Sequence, residues 1–181
     1  MMNPKKKGIA EVLKIEADFL RKMTKFVRPI IEGYNVLLAI AESDPIMNGK
    51  VRARLGKRAK NLEDEMEGML DKLRPMKELS PKIFGAIIAA AMELKTKAIF
   101  VEKACSSGKF KELMGWDTNV DMFESVVKSG NHMMNTIDNA FAQVLPADIK
   151  DKMLHTLKKQ FTDQWRDKVR ETAGKIKSKA A

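Results

Sequence analysis

Cysteine is nearly missing from this 181-residue chain. Cys105 stands alone, so an intramolecular disulfide and a multi-cysteine zinc site are both excluded, and a cytoplasmic or other reducing compartment is expected. The ten glycines never cluster. Without closely spaced glycines the backbone cannot wrap a phosphate, which argues against nucleotide hydrolysis. Long apolar runs are absent too: the longest uncharged one, Ile83 to Met92, is about half the roughly 20 residues a membrane-spanning helix needs. The N-terminal lysines lead into Glu11, Lys14 and Glu16 instead of an apolar stretch, so no secretion signal is expected.

Apolar residues make up 44% of the chain and charged residues 32%, a balance that folds instead of remaining disordered. The length fits one domain spanning 1–181, with flexible basic ends at about 1–7 and 177–181. A net charge of +10 and a pI near 9.6 favour polyanionic partners, either nucleic acid or an anionic membrane surface. The same excess also serves plain solubility.

Helical periodicity runs through the whole sequence. Ile9, Val12, Leu13, Leu20, Met23, Val27, Ile30, Tyr34, Leu37 and Ala41 predict one helix over 8–43, kinked or broken by Pro29 near Phe26. Asp44 and Pro45 read as a cap and first-turn proline for a second helix reaching Arg74. Its seam is Val51, Leu55, Ala59, Leu62, Met66, Met69 and Leu73. Ser80 and Pro81 open a third helix, where Ile83, Phe84, Ile87, Ile88, Ala89, Ala90, Ala91, Met92 and Leu94 cover more than one side. This breadth, with Gly85 and the alanines permitting close approach, predicts a buried central helix.

A short helical turn at Phe110 to Met114 precedes a fourth long helix capped by Thr118 or Asn119, with Asp121 supporting its start. Its inward face is predicted as Phe123, Val126, Val127, Gly130, Met134, Ile137, Phe141 and Val144. The last helix, from Pro146 to about Lys177, carries Ile149, Met153, Leu157, Phe161, Trp165, Val169 and Ile176 along one stripe. The expected fold class is therefore all-α: a single-domain bundle of about five long amphipathic helices.

Candidates for chemistry are few. His132, His155, Cys105 and one tyrosine are joined by no catalytic motif. Neither histidine follows a glutamate at the i,i+3 spacing of bundle metal sites. Asp151 and His155 share a face but read as a surface pair. Met133 and Met134 beside His132 read as core or contact surface, not haem ligation. No cofactor, no metal and no enzymatic activity are expected.

The densest feature is Lys50 to Lys60, with six cations (Lys50, Arg52, Arg54, Lys57, Arg58, Lys60) and no acid. Val51 and Leu55 face inward, so these cations spread over the outer faces of a helix that can grip phosphates without reading bases. The alternative is a solvated face balanced by Glu63, Asp64, Glu65, Glu67 and Asp71 further along. Aromatics that could stack bases are missing from the segment. Phe110 and Trp165 read as core, and Trp116 in its connecting loop stays open.

Glu11-Val12-Leu13, Glu16, Phe19-Leu20 and Pro29 loosely resemble the opening helix of Dbl-homology exchange-factor domains. The Lys-Pro-Val-Gln-Arg stretch that contributes to that family's GTPase-binding surface is absent, so no site residue is carried over. The expectation is a non-enzymatic helical protein that binds nucleic acid or another polyanion. Lys5 to Lys7 and the basic terminal helix would help, and self-association for packaging or scaffolding is possible. The alternative is an adaptor or effector whose basic face docks on an acidic protein or anionic membrane. The lysine-rich face opposite Leu157, Phe161 and Trp165 suits the membrane version, although that stripe also suits a core.

Overall fold

A computed structural model describes the backbone of residues 4–78 and 80–180, and their side chains apart from positions 4–13, 15, 16 and 19. Helices α1 (Pro4–Glu42), α2 (Gly49–Leu73), α3 (Pro81–Ser107), α4 (Phe110–Met114), α5 (Asn119–Val144), α6 (Ala147–Leu157) and α7 (Asp163–Ala180) follow one another. A π turn, Lys158–Thr162, fuses α6 to α7, so the long helices number five, and the described residues contain no strand. The expected all-α bundle is what forms. The side chains of Ile9, Val12, Leu13 and Lys5 to Lys7 lie outside the described ones, as do residues 1–3 and 181 of the expected flexible ends. Residues 177–180 continue α7.

α3 packs along α2 and also meets α1, α4 and α5, which makes it the centre of the bundle. Its inward stripe, Ile87, Ala91, Leu94, Ala98, Val101 and Ala104, is fully buried. The burial is narrower than its composition suggested: Ile88 is only partly buried and Met92 is 52% exposed. Close approach is supplied by the neighbours, not by Gly85, which has open space beside it. A Cβ on Gly33 of α1 would lie 2.5 Å from Leu94 of α3, and one on Gly56 of α2 would lie 3.1 Å from the Cys105 Cβ.

Two local expectations change. α1 stays helical through Pro29, without a break, because Phe26, Val27, Ile30 and Ile31 are buried on both sides of it and packing outweighs one lost backbone bond. Pro45 does not begin α2. Asp44 takes the left-handed conformation (φ 53°), which aspartate tolerates, and Pro45 to Met47 form a turn. Asp44 Oδ1 accepts from the Met47 N–H at 3.4 Å, and the helix starts at Gly49 without a side-chain cap.

The remaining ends follow ordinary capping. Pro81 occupies the first turn of α3, and Gly108 closes it in the left-handed conformation (φ 70°). Thr118 and Asp121 form a capping box at α5: Thr118 Oγ1 accepts from the Asp121 N–H, and Asp121 Oδ2 accepts from the Thr118 N–H at 3.0 Å. Asp117 donates its N–H to that same oxygen at 2.8 Å. These donors hold the Asp121 carboxyl below the usual range, the Asp117 bond foremost.

The π turn explains the last helix. Its stripe advances in steps of four from Ile149 to Trp165, and each step overshoots a 3.6-residue turn by about 40°. Four such steps would carry Trp165 roughly 160° away from Ile149 on a regular helix. The wider π turn absorbs part of that swing, and Ile149, Met153, Leu157, Phe161 and Trp165 are all buried. Trp165 lies directly against Gly130, where any side chain would collide with the indole, and donates its N–H to Asn131 Oδ1 at 2.9 Å.

Candidate functional site

The six cations of α2 separate into three groups once placed in space. Arg52 turns inward: its Nε donates to the Pro45 carbonyl at 3.0 Å and Nη2 to the Ile46 carbonyl at 3.2 Å. Its guanidinium also sits 5.7 Å from the centre of the Phe110 ring. Gly108 leaves it room, since a Cβ there would lie 2.5 Å from Nη1. Arg52 is thus a brace joining the Pro45 turn, the end of α3 and α4. Placing it on the outer face was wrong, because the turn carbonyls offer a better partner than water.

Lys60 lies at the side of the helix and is engaged by Glu63 at 3.2 Å and Asp64 at 3.4 Å. Its pKa is raised, first by the Glu63 hydrogen bond. The other four, Lys50, Arg54, Lys57 and Arg58, are exposed and make no ion pair with any described residue. At 100° per residue they fall within about 60° of the direction of Asn61, away from the buried seam of Leu55, Ala59, Leu62 and Met66. They form one outward ridge.

The ridge opposes the ordinary electrostatics of a helix. Acids belong near the positive N-terminal end and cations near the negative C-terminal end. α2 has no acid in its first turn, where Lys50 stands, and its acids gather in the second half. Of those acids, Glu67 is bound by Lys95 of α3 and Asp71 by Arg74 at 3.0 Å. Glu65 is exposed and makes no ion pair with a described residue.

α7 is equally rich in cations but arranged differently. Arg166 pairs with Asp163 at 3.9 Å, Arg170 with Asp167 at 3.5 Å, and Lys168 and Lys175 with Glu171 at 3.6 and 2.9 Å. Lys175 also reaches Glu42 at 3.9 Å, and Lys179 donates to the Glu42 carbonyl at 3.1 Å, which ties α7 to the end of α1. Lys5 to Lys7 stand at the other end of α1.

The aromatic candidates for base stacking are core residues: Phe110, Trp116 and Trp165 are all 5% exposed or less. Phe100 on α3, which the sequence reading did not single out, is 41% exposed. Cys105 is buried, and burial pushes its thiol up to about 11. His132 approaches Glu93 at 3.6 Å on the surface. Glu93 in turn accepts from the Ser129 hydroxyl at 2.8 Å, and Ser129 meets the buried Tyr34 hydroxyl at 2.9 Å. That seam joins α1, α3 and α5, and burial raises the Tyr34 phenol well above its ordinary range. Among the described residues no three His, Cys, Asp or Glu side chains gather as a metal site, and no helix is long and apolar enough to cross a membrane.

Fold and surface together define an all-α bundle with a cationic ridge on α2 that is unpaired among the described residues. Comparison with family models, curated proteins and solved structures finds no match in any of the three.

Proposed function

We propose that this chain is a non-enzymatic helical protein that binds nucleic acid through its phosphates, with Lys50, Arg54, Lys57 and Arg58 as the contacts and a packaging or scaffolding role. One observation carries the reading: four exposed cations share one helix face and have no acidic partner among the described residues, and the first of them, Lys50, stands in the first turn, where charge of its sign is least favoured. Such a ridge neutralises phosphates and releases counterions, and it reads no sequence. Arg52 and Lys60, already engaged, are left out of the contact.

The test is a titration of duplex DNA and of single-stranded RNA at several salt concentrations. Four contacts predict a log–log slope of about −3 to −4 on a duplex, with little dependence on sequence. Absent or salt-insensitive binding would refute the proposal. Sedimentation with neutral and with anionic vesicles distinguishes a membrane partner, which would hold the chain only on the anionic ones.

A further inference from the structure

We infer that the outward face of α2 is a self-complementary surface on which a second copy of this chain docks antiparallel, about a two-fold axis passing through Asn61. The exposed face reads, in order, Lys50, Arg54, Lys57, Arg58, Asn61, Asp64, Glu65, Gly68 and Lys72, all within about 60° of the Asn61 direction. Charge reverses about its centre. A two-fold axis perpendicular to the helices at Asn61 brings residues equally far on either side to one level and pairs those that share a flank of the face. On one flank Lys57 then meets Asp64 of the second copy and on the other Arg58 meets Glu65, and symmetry makes every such pair occur twice.

Arg54 falls opposite Gly68, where α2 has no side chain and nothing lies within 4 Å of the position a Cβ would take. A groove of about 360 Å³ opens there between α1 and α2, with Phe26, Pro29 and Met69 as its apolar lining and two acids, Asp64 and Glu65, beside two lysines, Lys25 and Lys72. A long cation suits such a groove, laying its methylenes on the apolar floor and its charge against the acids. Lys50 lies opposite Lys72, a like-charge approach that weakens the dimer. Asn61 meets its own copy on the axis, where an amide both donates and accepts.

The surface is a single helix face dominated by exposed charge, so the dimer is weak and dissolves as salt rises. The inference is independent of nucleic-acid binding, although both use the same cations. A polyanion and a second copy therefore exclude each other on the ridge.

Sedimentation equilibrium of the full chain without nucleic acid, at low and high salt, tests it. The chain should dimerise at low salt and become monomeric at high salt. Arg58→Glu or Glu65→Arg alone turns two attractions into repulsions and should weaken association about tenfold or more. The double variant R58E/E65R restores both pairs and should return it to near the original level. Helical content by circular dichroism establishes that each variant is folded. A folded chain that stays monomeric at low salt, or a dimer indifferent to the exchange, would overturn the inference. Because no polyanion is present, either result leaves the phosphate-binding reading to its own titration.

Discussion

α2 and α7 are both rich in lysine and arginine, yet they use them in opposite ways. On α7 the acids are interleaved at i,i+3 and i,i+4, and four of the cations are held by neighbours on the same helix. Its last lysines stand where the helix dipole welcomes them and fasten α7 to α1. On α2 the signs are segregated by half, and four cations are left facing water. A count of charge treats the two helices alike, whereas the spacing of opposite charges separates a structural surface from one that is open to a partner.

The comparison can be broken most forcefully at the inner face of α7. Trp165→Ala removes a fully buried indole and its bond to Asn131, and should cost about 3–5 kcal/mol in chemical denaturation. A small loss would free that stripe for a membrane role. On α3, against which α2 leans, Ile87→Ala should cost about 2–5 kcal/mol, and Ile88→Ala clearly less, because only Ile87 is fully buried. Within the ridge segment, Arg52→Ala should destabilise by about 1–2 kcal/mol through its charged hydrogen bonds to two carbonyls. Arg54→Ala should change stability by less than about 0.5 kcal/mol. Equal effects would erase the distinction between brace and ridge.

The smallest effect concerns a single proton. Half-burial raises the Asp138 carboxyl, against the opposing pull of Lys158, Thr162 and Arg166. A carboxyl raised on folding favours the protonated form in the folded state, so it lowers stability as pH climbs from its ordinary value of 3.8 through the raised one. Asp138→Asn should therefore raise the melting temperature slightly at pH 7 and leave it nearly unchanged below pH 3.8. Asp121 has the opposite sign: its stability contribution is present above 3.8 and is lost as pH falls below it.

Much of the architecture was legible because amphipathic spacing dictates which face is buried. The seam of α2 from Leu55 to Leu73 and the stripe from Ile149 to Trp165 were both readable residue by residue. The unbroken steps of four in that stripe also carried the sign of the π turn, had their drift been followed. The inward turn of Arg52 was not legible. It depends on carbonyls presented by the Pro45 turn and on space beside Gly108, contacts that only the folded chain brings together. The start of α2 was missed for a related reason: Asp44 and Pro45 carry a capping signature, but the left-handed Asp44 spends it on a turn. The candidate site was legible as a run of cations, and its reduction from six to four required their neighbours.

The most direct test sets the two helices side by side. Duplex DNA is titrated across a salt series with the unaltered chain, with Lys57→Glu/Arg58→Glu on α2, and with Arg166→Glu/Arg170→Glu on α7. The α2 reversal should cut affinity and reduce the salt slope by about two, while the melting temperature hardly moves. The α7 reversal should leave both affinity and slope close to those of the unaltered chain. Equal losses from the two reversals, or a loss from α7 alone, would contradict the claim that segregated charge, and not total charge, makes the binding surface.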